Sequence, residues 1–363
     1  MKNPINKKPF FTFALVLSLG LLVYTILNAF TKSGPERKTD AKKNNDTFIL
    51  GVNGHPLNRP DYLSVPVSKQ VQYMKDLGFI YYRIDASCND SGKIIHESTF
   101  FELARACSQA NIKLLPMITA ERFINYHDTL SAINGAKKLT SQFAKNYGKY
   151  FDHYELGNEL DIRILNDIKN RKSPGTLASD YGNGSEIQII AAYLKGMNAG
   201  IKEQDPNAKT IIDMSETHYG FISLLKNLNV SFDIIGSHFY PNKSYDQSPD
   251  FKSLMTNLAK IYNFSKPIWI TELNHFLGSA NYGIHFNRED DQAAILNNYI
   301  ANCRKIRNVK ALFIYELLDE PTLKVPRANG YERNFGIIKR DSDTKLPVYK
   351  SVGRSLKSNM HRF

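Results

Sequence analysis

The chain has 363 residues, a formal net charge of +12, 42% hydrophobic residues, 12% aromatic residues and three cysteines. This apolar content is typical of a protein with a buried core and excludes a largely disordered chain. Three cysteines cannot all pair within one chain, and the absence of a CxxC pair argues against a zinc site and a redox motif. We expect buried thiols, although the sequence leaves a disulfide between Cys88 and Cys107 open.

The positive charge is concentrated near the amino terminus. Residues 1–45 hold eight Lys or Arg against two acidic residues, so half of the net charge of +12 lies in that tail. The rest is spread thinly over a large domain, without a basic stripe or a nucleic-acid-binding motif. We therefore expect no nucleic-acid partner.

A charge-free apolar run at 10–30 follows the basic residues 1–9. About 20 apolar residues match the thickness of a bilayer core, whereas the apolar part of a signal peptide is about 7–15 residues long. We expect a transmembrane signal anchor, with a cleaved signal peptide as the alternative, and a flexible basic linker at 31–46. The rest of the chain is then exported, and it is either membrane-anchored or, after cleavage, periplasmic or secreted.

From residue 47 onward, apolar runs alternate with amphipathic segments of helical length. Candidate strands lie at 47–52, 79–85, 112–118, 151–157, 209–214, 233–238, 267–272 and 311–316. Helical patterns lie at 66–77, 98–110, 129–147, 186–204, 220–229, 250–263 and 288–307, with a weaker eighth at 347–357. Strands that alternate with helices indicate parallel βαβ units.

Eight such units predict an α/β protein in which residues 47–363 form a single (β/α)8 barrel, a TIM barrel. The main alternative is a doubly wound open sheet. A nucleotide-binding sheet of that kind carries a GxGxxG fingerprint after its first strand, and the run from Gly51 to His55 does not match it. We therefore favour the barrel.

Polar side chains gather at the carboxyl ends of these strands. In a parallel barrel those ends converge on one face, where the catalytic groups of such barrels lie. In chain order the residues are Asn53, His55, Arg83, Asp85, Asn158, Glu159, His238, Tyr240, Glu272, Tyr315 and Glu316, with Asp319 and Glu320 further beyond the eighth strand. The sequence thus predicts one polar site at one end of the barrel.

Two of the strands end on a glutamate that is far from the other in sequence. Glu159 follows an apolar strand as part of an exposed Asn-Glu pair, and Glu272 ends the run from Pro267. Glycoside hydrolysis requires a pair of carboxyl groups: a protonated one donates to the leaving oxygen, and an ionised one attacks the anomeric carbon. The pair therefore predicts this chemistry.

These motifs resemble the large clan A of retaining glycoside hydrolases with a (β/α)8 barrel, over about residues 47–355. The likeness is carried by Asn158-Glu159, Glu272, Arg83 at the end of the second strand and His238-Phe239-Tyr240 at the end of the sixth. It implies that Glu159 is the acid/base and Glu272 the nucleophile. Among the branches, the chain is similar to cellulase-like, xylosidase-like and exopolysaccharide-hydrolase-like families.

The chemistry sets requirements for each member of the pair. Glu159 must be protonated for the first step, so we expect it to be partly desolvated and less acidic than usual. Glu272 must stay ionised, which Arg83 and Tyr240 would favour. Asn158 is placed to hydrogen-bond the sugar 2-hydroxyl.

The remaining candidates bind substrate or support the residues that do. Tyr315 stands where a tryptophan commonly ends the eighth strand in this clan, so the pocket floor is atypical. Glu155 shares a strand face with Glu159 and is a candidate internal partner of Arg83. Four further candidates are Asn53, His55, His218 and His238.

The sequence therefore predicts a glycosidase that cleaves a polysaccharide or oligosaccharide by double displacement, without a metal or organic cofactor. The sugar, the linkage, the endo or exo mode and any protein partner stay open. One alternative is a catalytically silent carbohydrate-binding barrel, although both glutamates are present. Another is a metal-dependent hydrolase, although the histidines lack the clustered spacing of a ligand set.

Overall fold

The computed structural model describes residues 48–359 except 120, 167–172, 183, 242, 276–288 and 325–330. Eight parallel strands form a closed barrel in which the eighth strand pairs with the first. They are β1 (Ile49–Gly54), β2 (Tyr81–Asp85), β3 (Lys113–Ile118), β4 (His153–Leu156), β5 (Lys209–Ile212), β6 (Ile234–Phe239), β7 (Ile268–Leu273) and β8 (Val309–Ile314). The predicted barrel is confirmed, and the open sheet is excluded.

Helices occupy the connections between the strands. They span Pro60–Leu63, Val67–Asp76, Glu97–Gln109, Thr129–Tyr147, Leu160–Ile164, Ser185–Gln204, Tyr219–Asn227, Pro249–Ile261, Glu289–Cys303 and Ser351–Asn359. The long helices lie where the sequence pattern predicts them. The helix predicted at 347–357 begins only at Ser351, because Pro347–Tyr349 (β10) pairs with Ile338–Arg340 (β9) as an antiparallel sheet.

The interior of the barrel is filled by a small cluster of apolar side chains. Tyr81 of β2 contacts Trp269 of β7 with ring centroids 5.7 Å apart, although β2 and β7 are not neighbours in the barrel. Both side chains must therefore point inward. Because alternate residues of a strand share a face, Arg83 follows Tyr81 into the interior, nearer the carboxyl end of the strand. The inward face thus changes from apolar to polar along β2.

The strand register requires one glycine in this interior. Gly51 of β1 lies beside Phe313 of β8, and a Cβ atom on Gly51 would come within 2.4 Å of that ring. Asn53, two residues further along β1, pairs in register with Arg83. The Phe313 ring therefore fills the interior at the level of Gly51, and Asn53 and Arg83 lie nearer the carboxyl ends of the strands.

Cys88, Cys107 and Cys303 are buried free thiols, and burial raises the pKa of Cys107 to about 12. The expectation of buried thiols is confirmed, and the disulfide that the sequence left open does not form. No helix in the described part of the chain is long and apolar enough to cross a membrane. The segments predicted at 1–9, 10–30 and 31–46 lie outside the described residues.

Candidate active site

Arg83 organises the polar end of the barrel. Its guanidinium, in a side chain only 3% exposed, donates from Nη1 to Asn53 Oδ1 and to Glu272 Oε1, both at 2.8 Å. Its Nη2 donates to Asn158 Oδ1 at 2.9 Å, and its Nε donates to Glu155. The planar guanidinium carries five N–H groups in a fixed fork, which suits several acceptors at once. Arg83 thereby joins the ends of β1, β2, β4 and β7, and the predicted contact with Glu155 is confirmed.

Glu272 lies near the end of β7 and is 6% exposed. Besides Arg83, it accepts a hydrogen bond from the Tyr240 hydroxyl at 2.5 Å. Burial and the charge of Glu272 raise the pKa of Tyr240 well above its ordinary value, so this phenol stays a donor. The guanidinium and the phenol, both predicted as partners, stabilise the negative charge that a nucleophilic carboxylate must carry.

Glu159 precedes the short helix Leu160–Ile164 in a left-handed conformation, with φ +49°. This conformation is uncommon for a residue with a side chain and needs support from its surroundings. The backbone N–H of Glu159 donates to Asp213 Oδ1 at 2.7 Å, which supplies that support. The carboxyl group of Glu159 lies 3.0 Å from His238 Nδ1, and the side chain is 29% exposed.

His238 sets the acidity of Glu159. Burial alone would raise the pKa of Glu159, but the hydrogen bond and the charge of His238 outweigh burial and lower that pKa. Burial disfavours the imidazolium of His238, yet Glu272 and Asp213 raise its pKa well above the ordinary value. The expectation of a less acidic Glu159 is therefore wrong for the protein without substrate, because a cation lies against the carboxylate.

The two glutamates meet at this histidine. One carboxyl oxygen of Glu159, one of Glu272 and one ring nitrogen of His238 all lie within 4.8 Å of one another. His238 Nδ1 is 3.6 Å from Glu272 Oε2. The residues predicted at the ends of three separate strands are thus brought into one constellation.

Asp213 belongs to this site although the sequence pattern did not indicate it. It directly follows β5, is 2% exposed, and burial raises its pKa to about 8 against the lowering charge of His238. The predicted strand ran to residue 214 and so placed Asp213 inside it. A strand ending at Ile212, as observed, would have put Asp213 among the polar strand ends.

Tyr315 lies beside the pair, at the position predicted for the pocket floor. Its ring meets those of Tyr240 and Phe335 edge-on, with centroids 6.2 and 6.0 Å away. His55, which is 5% exposed, supports this ring: its Nε2 is 3.2 Å from the Tyr315 hydroxyl and its Nδ1 is 2.6 Å from Asp85. His55 therefore contacts Tyr315 from a buried position.

His218 takes a different position from the other candidates. Its Nδ1 lies 2.6 Å from Asp161 Oδ2, and Asp161 is fully buried. The backbone N–H of Ser215 also donates to Asp161, at 3.2 Å. His218 thus helps to hold the segment that follows Glu159 against the segment that follows β5.

A closed parallel barrel with this polar constellation at the ends of β4, β6 and β7 is that of a clan A glycoside hydrolase. The family model of glycosyl hydrolase family 53 matches residues 130–314, just over half of the chain. The chain therefore belongs to glycosyl hydrolase family 53, and it is a glycosidase.

Solved structures share the fold at low sequence identity. The AHE enzyme from Alicyclobacillus herbarius matches with a TM-score of 0.62 and 12% identity over 88% of this chain and 98% of that one. A family 1 β-glucosidase from Thermotoga maritima matches with a TM-score of 0.60 and 12% identity, over 86% of this chain and 97% of that one. Virulence factor SghA from Agrobacterium tumefaciens matches with a TM-score of 0.59 and 13% identity, over 86% of this chain and 97% of that one. A search of curated proteins gave no match.

Proposed function

We propose that the protein is a retaining glycosidase that cleaves an O-glycosidic bond of a polysaccharide or oligosaccharide by double displacement. The observation that carries this proposal is the short distance between the two glutamates: one carboxyl oxygen of each lies within 4.8 Å of the other and of one ring nitrogen of His238. Carboxyl groups are about 5–5.5 Å apart in retaining enzymes and about 6.5–9.5 Å apart in inverting ones, which need room for a water. The spacing supports retention.

In the first step, an oxygen of Glu272 attacks the anomeric carbon as the bond to the leaving oxygen breaks and Glu159 protonates that oxygen. In the second step, Glu159 removes a proton from water, the water attacks the same carbon, and the bond to Glu272 breaks. Because the carbonyl oxygen of Asn158 is the acceptor for Arg83, its amide nitrogen is the group that would donate to the sugar 2-hydroxyl.

The net charge of the site favours protonation of Glu159 for the first step. Two cations, Arg83 and His238, lie among the carboxyl groups of four residues: Glu155, Glu159, Asp213 and Glu272. When all four carboxyl groups are ionised, the site carries more negative than positive charge. This excess favours protonation and stabilises a positively charged transition state. Bound sugar would exclude water from Glu159 and favour its neutral form, with a proton passing from His238 along the 3.0 Å hydrogen bond.

The proposal includes an exported enzyme that acts outside the cytoplasm. Its support is the charge-free apolar run at 10–30 and the basic residues before it. The enzyme would be held at the membrane by that run, or released into the periplasm or medium if the run is removed. An extracytoplasmic location suits a polymer that is too large to enter a cell.

Sugar release by the purified chain tests the proposal, over a panel of β-linked polysaccharides and exopolysaccharides. Glu159→Gln and Glu272→Gln should each reduce turnover by about 100-fold or more. Glu102→Gln, on an exposed helix face, is the control and should keep full activity. Activity that survives in both site variants would refute the assignment. Binding without hydrolysis would favour the carbohydrate-binding alternative.

An activated aryl glycoside separates the two roles. Its leaving group needs little protonation, so Glu159→Gln should form the glycosyl-enzyme, release it slowly and be rescued by azide, whereas Glu272→Gln should not. The anomer released first, followed by NMR, should have the configuration of the substrate. Inversion would contradict double displacement.

A further inference from the structure

A second buried polar cluster lies at the same end of the barrel, where His55 contacts Tyr315. It consists of His55 after β1 and of Glu316 and Glu320 after β8, which are 5%, 0% and 1% exposed. One donor atom from each of the three lies within 4.8 Å of the other two. None of these side chains has a part in the bond cleavage proposed above.

The carboxylates of this cluster have too few donors. Glu316 Oε1 and both carboxylate oxygens of Glu320 are buried without a hydrogen-bond partner among the described residues. The guanidinium of Arg59 stays 3.9 Å from Glu320, and its side chain is 32% exposed. A buried carboxylate that lacks donors is destabilising unless a cation or a proton compensates its charge. The unpaired oxygens must therefore be compensated by protons or by a bound cation.

Neighbouring side chains hold the cluster as the surroundings of a metal site would. Asp85 lies 2.6 Å from His55 Nδ1, so that a neutral His55 donates from Nδ1 and keeps its lone pair on Nε2. That Nε2 is 3.5 Å from Glu316 Oε2, the oxygen to which Tyr62 donates at 2.7 Å. Metal-binding histidines generally have a carboxylate or carbonyl oxygen on their other ring nitrogen. Asp85 fits that role.

We propose that His55, Glu316 and Glu320 bind a divalent transition-metal ion such as Zn²⁺ or Mn²⁺. His55 Nε2 and one carboxylate oxygen from each glutamate are its ligands, and water completes the coordination. One imidazole with two carboxylates suits these ions better than Ca²⁺, which takes six to eight oxygen ligands. The ion would replace the His55–Tyr315 hydrogen bond and join β1 to the segment after β8.

This assignment departs from the sequence-based expectation of no metal. Glu316 and Glu320 are four residues apart, but His55 lies more than 250 residues before them in the sequence, and only the closure of β8 against β1 brings it beside them. The role of the ion is structural: it would fix the connection on which Tyr315 stands.

Metal binding by the full-length chain tests the proposal without any measurement of turnover. The purified protein is stripped with a chelator and titrated with ZnCl2, MnCl2 and CaCl2 by calorimetry, and metal content is measured after desalting. We expect one equivalent of Zn²⁺ or Mn²⁺, bound more tightly than Ca²⁺. Glu320→Gln should weaken binding by more than about 10-fold, and Asp85→Asn by about 10–100-fold. Glu102→Gln, the exposed control, should bind as the wild type does.

Thermal unfolding provides an independent readout, because the proposal predicts an inversion of stability. Without metal, Glu320→Gln replaces a buried carboxyl group whose oxygens have no hydrogen-bond partner among the described residues, so its Tm should equal or exceed that of the wild type. With saturating Zn²⁺ the wild type should become the more stable protein. Loss of packing alone would lower the Tm of the variant under both conditions.

Two results would overturn the proposal. One is equal binding of Zn²⁺ or Mn²⁺ by the wild type and Glu320→Gln, which would place the ion elsewhere. The other is the absence of stoichiometric binding by the stripped wild type, which would mean that protons compensate the cluster. Neither result depends on whether Glu159 and Glu272 perform the proposed reaction.

Discussion

His238 is the side chain that Glu159 and Glu272 both approach. Nδ1 is 3.0 Å from one carboxyl group and 3.6 Å from the other, and the ring is fully buried. An imidazole in this position acts on both proposed catalytic groups at once, because it lowers the pKa of Glu159 and adds positive charge beside Glu272. Its effect on catalysis should therefore appear in the pH dependence as well as in the rate.

Replacement of His238 by glutamine tests this effect. The neutral amide removes the charge that lowers the pKa of Glu159, so burial becomes dominant and that pKa rises. The limb of the kcat/KM profile that reports deprotonation of the acid should move to higher pH, with a fall of about 10-fold or more in rate at the optimum. The pH profile of His127→Gln, an exposed histidine, serves as the control. If this limb of the pH profile did not move, His238 would not control the pKa of Glu159.

At the residue scale, the chemistry of the strand ends was predictable and the balance between charges was not. The pair Glu159 and Glu272 follows from the convergence of strand ends in a parallel barrel, and the contact of Arg83 with Glu155 follows from the inward faces of their strands. The lowered pKa of Glu159 follows from the 3.0 Å contact with His238, residues 79 positions apart. A sequence pattern carries no information on such a distance.

At the element scale, the segments after β4 and β5 are joined by Asp213, which accepts the backbone N–H of Glu159. Burial keeps the pKa of this carboxyl group near 8, far above the value of about 3.9 for an exposed aspartate. Between these two values the folded state binds more protons than the unfolded state. The contribution of Asp213 to stability therefore falls as the pH rises from about 4 to about 8.

Asp213→Asn should remove this dependence, because asparagine keeps an acceptor for the N–H of Glu159 but cannot ionise. The Tm of the variant relative to the wild type should increase steadily from pH 4 to pH 8, as measured by thermal unfolding in matched buffers. Asp343→Asn, at an exposed turn, should show no such trend. A constant difference across the range would mean that Asp213 is already ionised in the folded protein.

Helices Thr129–Tyr147 and Ser185–Gln204 pack closely through small residues. A Cβ atom on Gly200 would lie 2.3 Å from the backbone oxygen of Lys137. Gly200→Ala should lower the free energy of unfolding by about 1–3 kcal/mol through overpacking. Ala199→Leu, which adds more volume on the exposed face one position earlier, should change it by less than about 0.5 kcal/mol. Denaturant titration would measure both, and equal stability of the two variants would contradict the close approach.

Element type was the most predictable level of the structure. All eight barrel strands and the long helices were found from hydrophobic periodicity, because each segment is long enough to show its period. The three-residue strands β9 and β10 are too short to show a period, and β10 falls within the helix that the sequence predicted at 347–357. The predicted strand ends also differ from the observed ones by a residue or two, and for this reason Asp213 was not predicted as a strand-end residue.

For the whole molecule, the proposed location of the enzyme rests on the apolar run at 10–30. If that segment is an uncleaved anchor, the full-length chain expressed in a bacterium should remain with the membrane fraction after alkaline extraction. A chain that starts at residue 47 is the control and should be extracted. Release of an amino-terminally shortened protein would support the signal-peptide alternative. Recovery of the intact chain from the cytoplasm would refute export.

The sequence by itself determined the barrel and the identity of the polar residues at its carboxyl end. Hydrophobic period and strand-end chemistry are local properties, which can be seen in short stretches of chain. The tertiary structure decided which groups meet: His238 with both glutamates, Asp213 with the backbone of Glu159, and His55 with Glu316 and Glu320. Electrostatic energies depend on separation and burial, so closure of the barrel was needed before acidity or a cation site could be inferred.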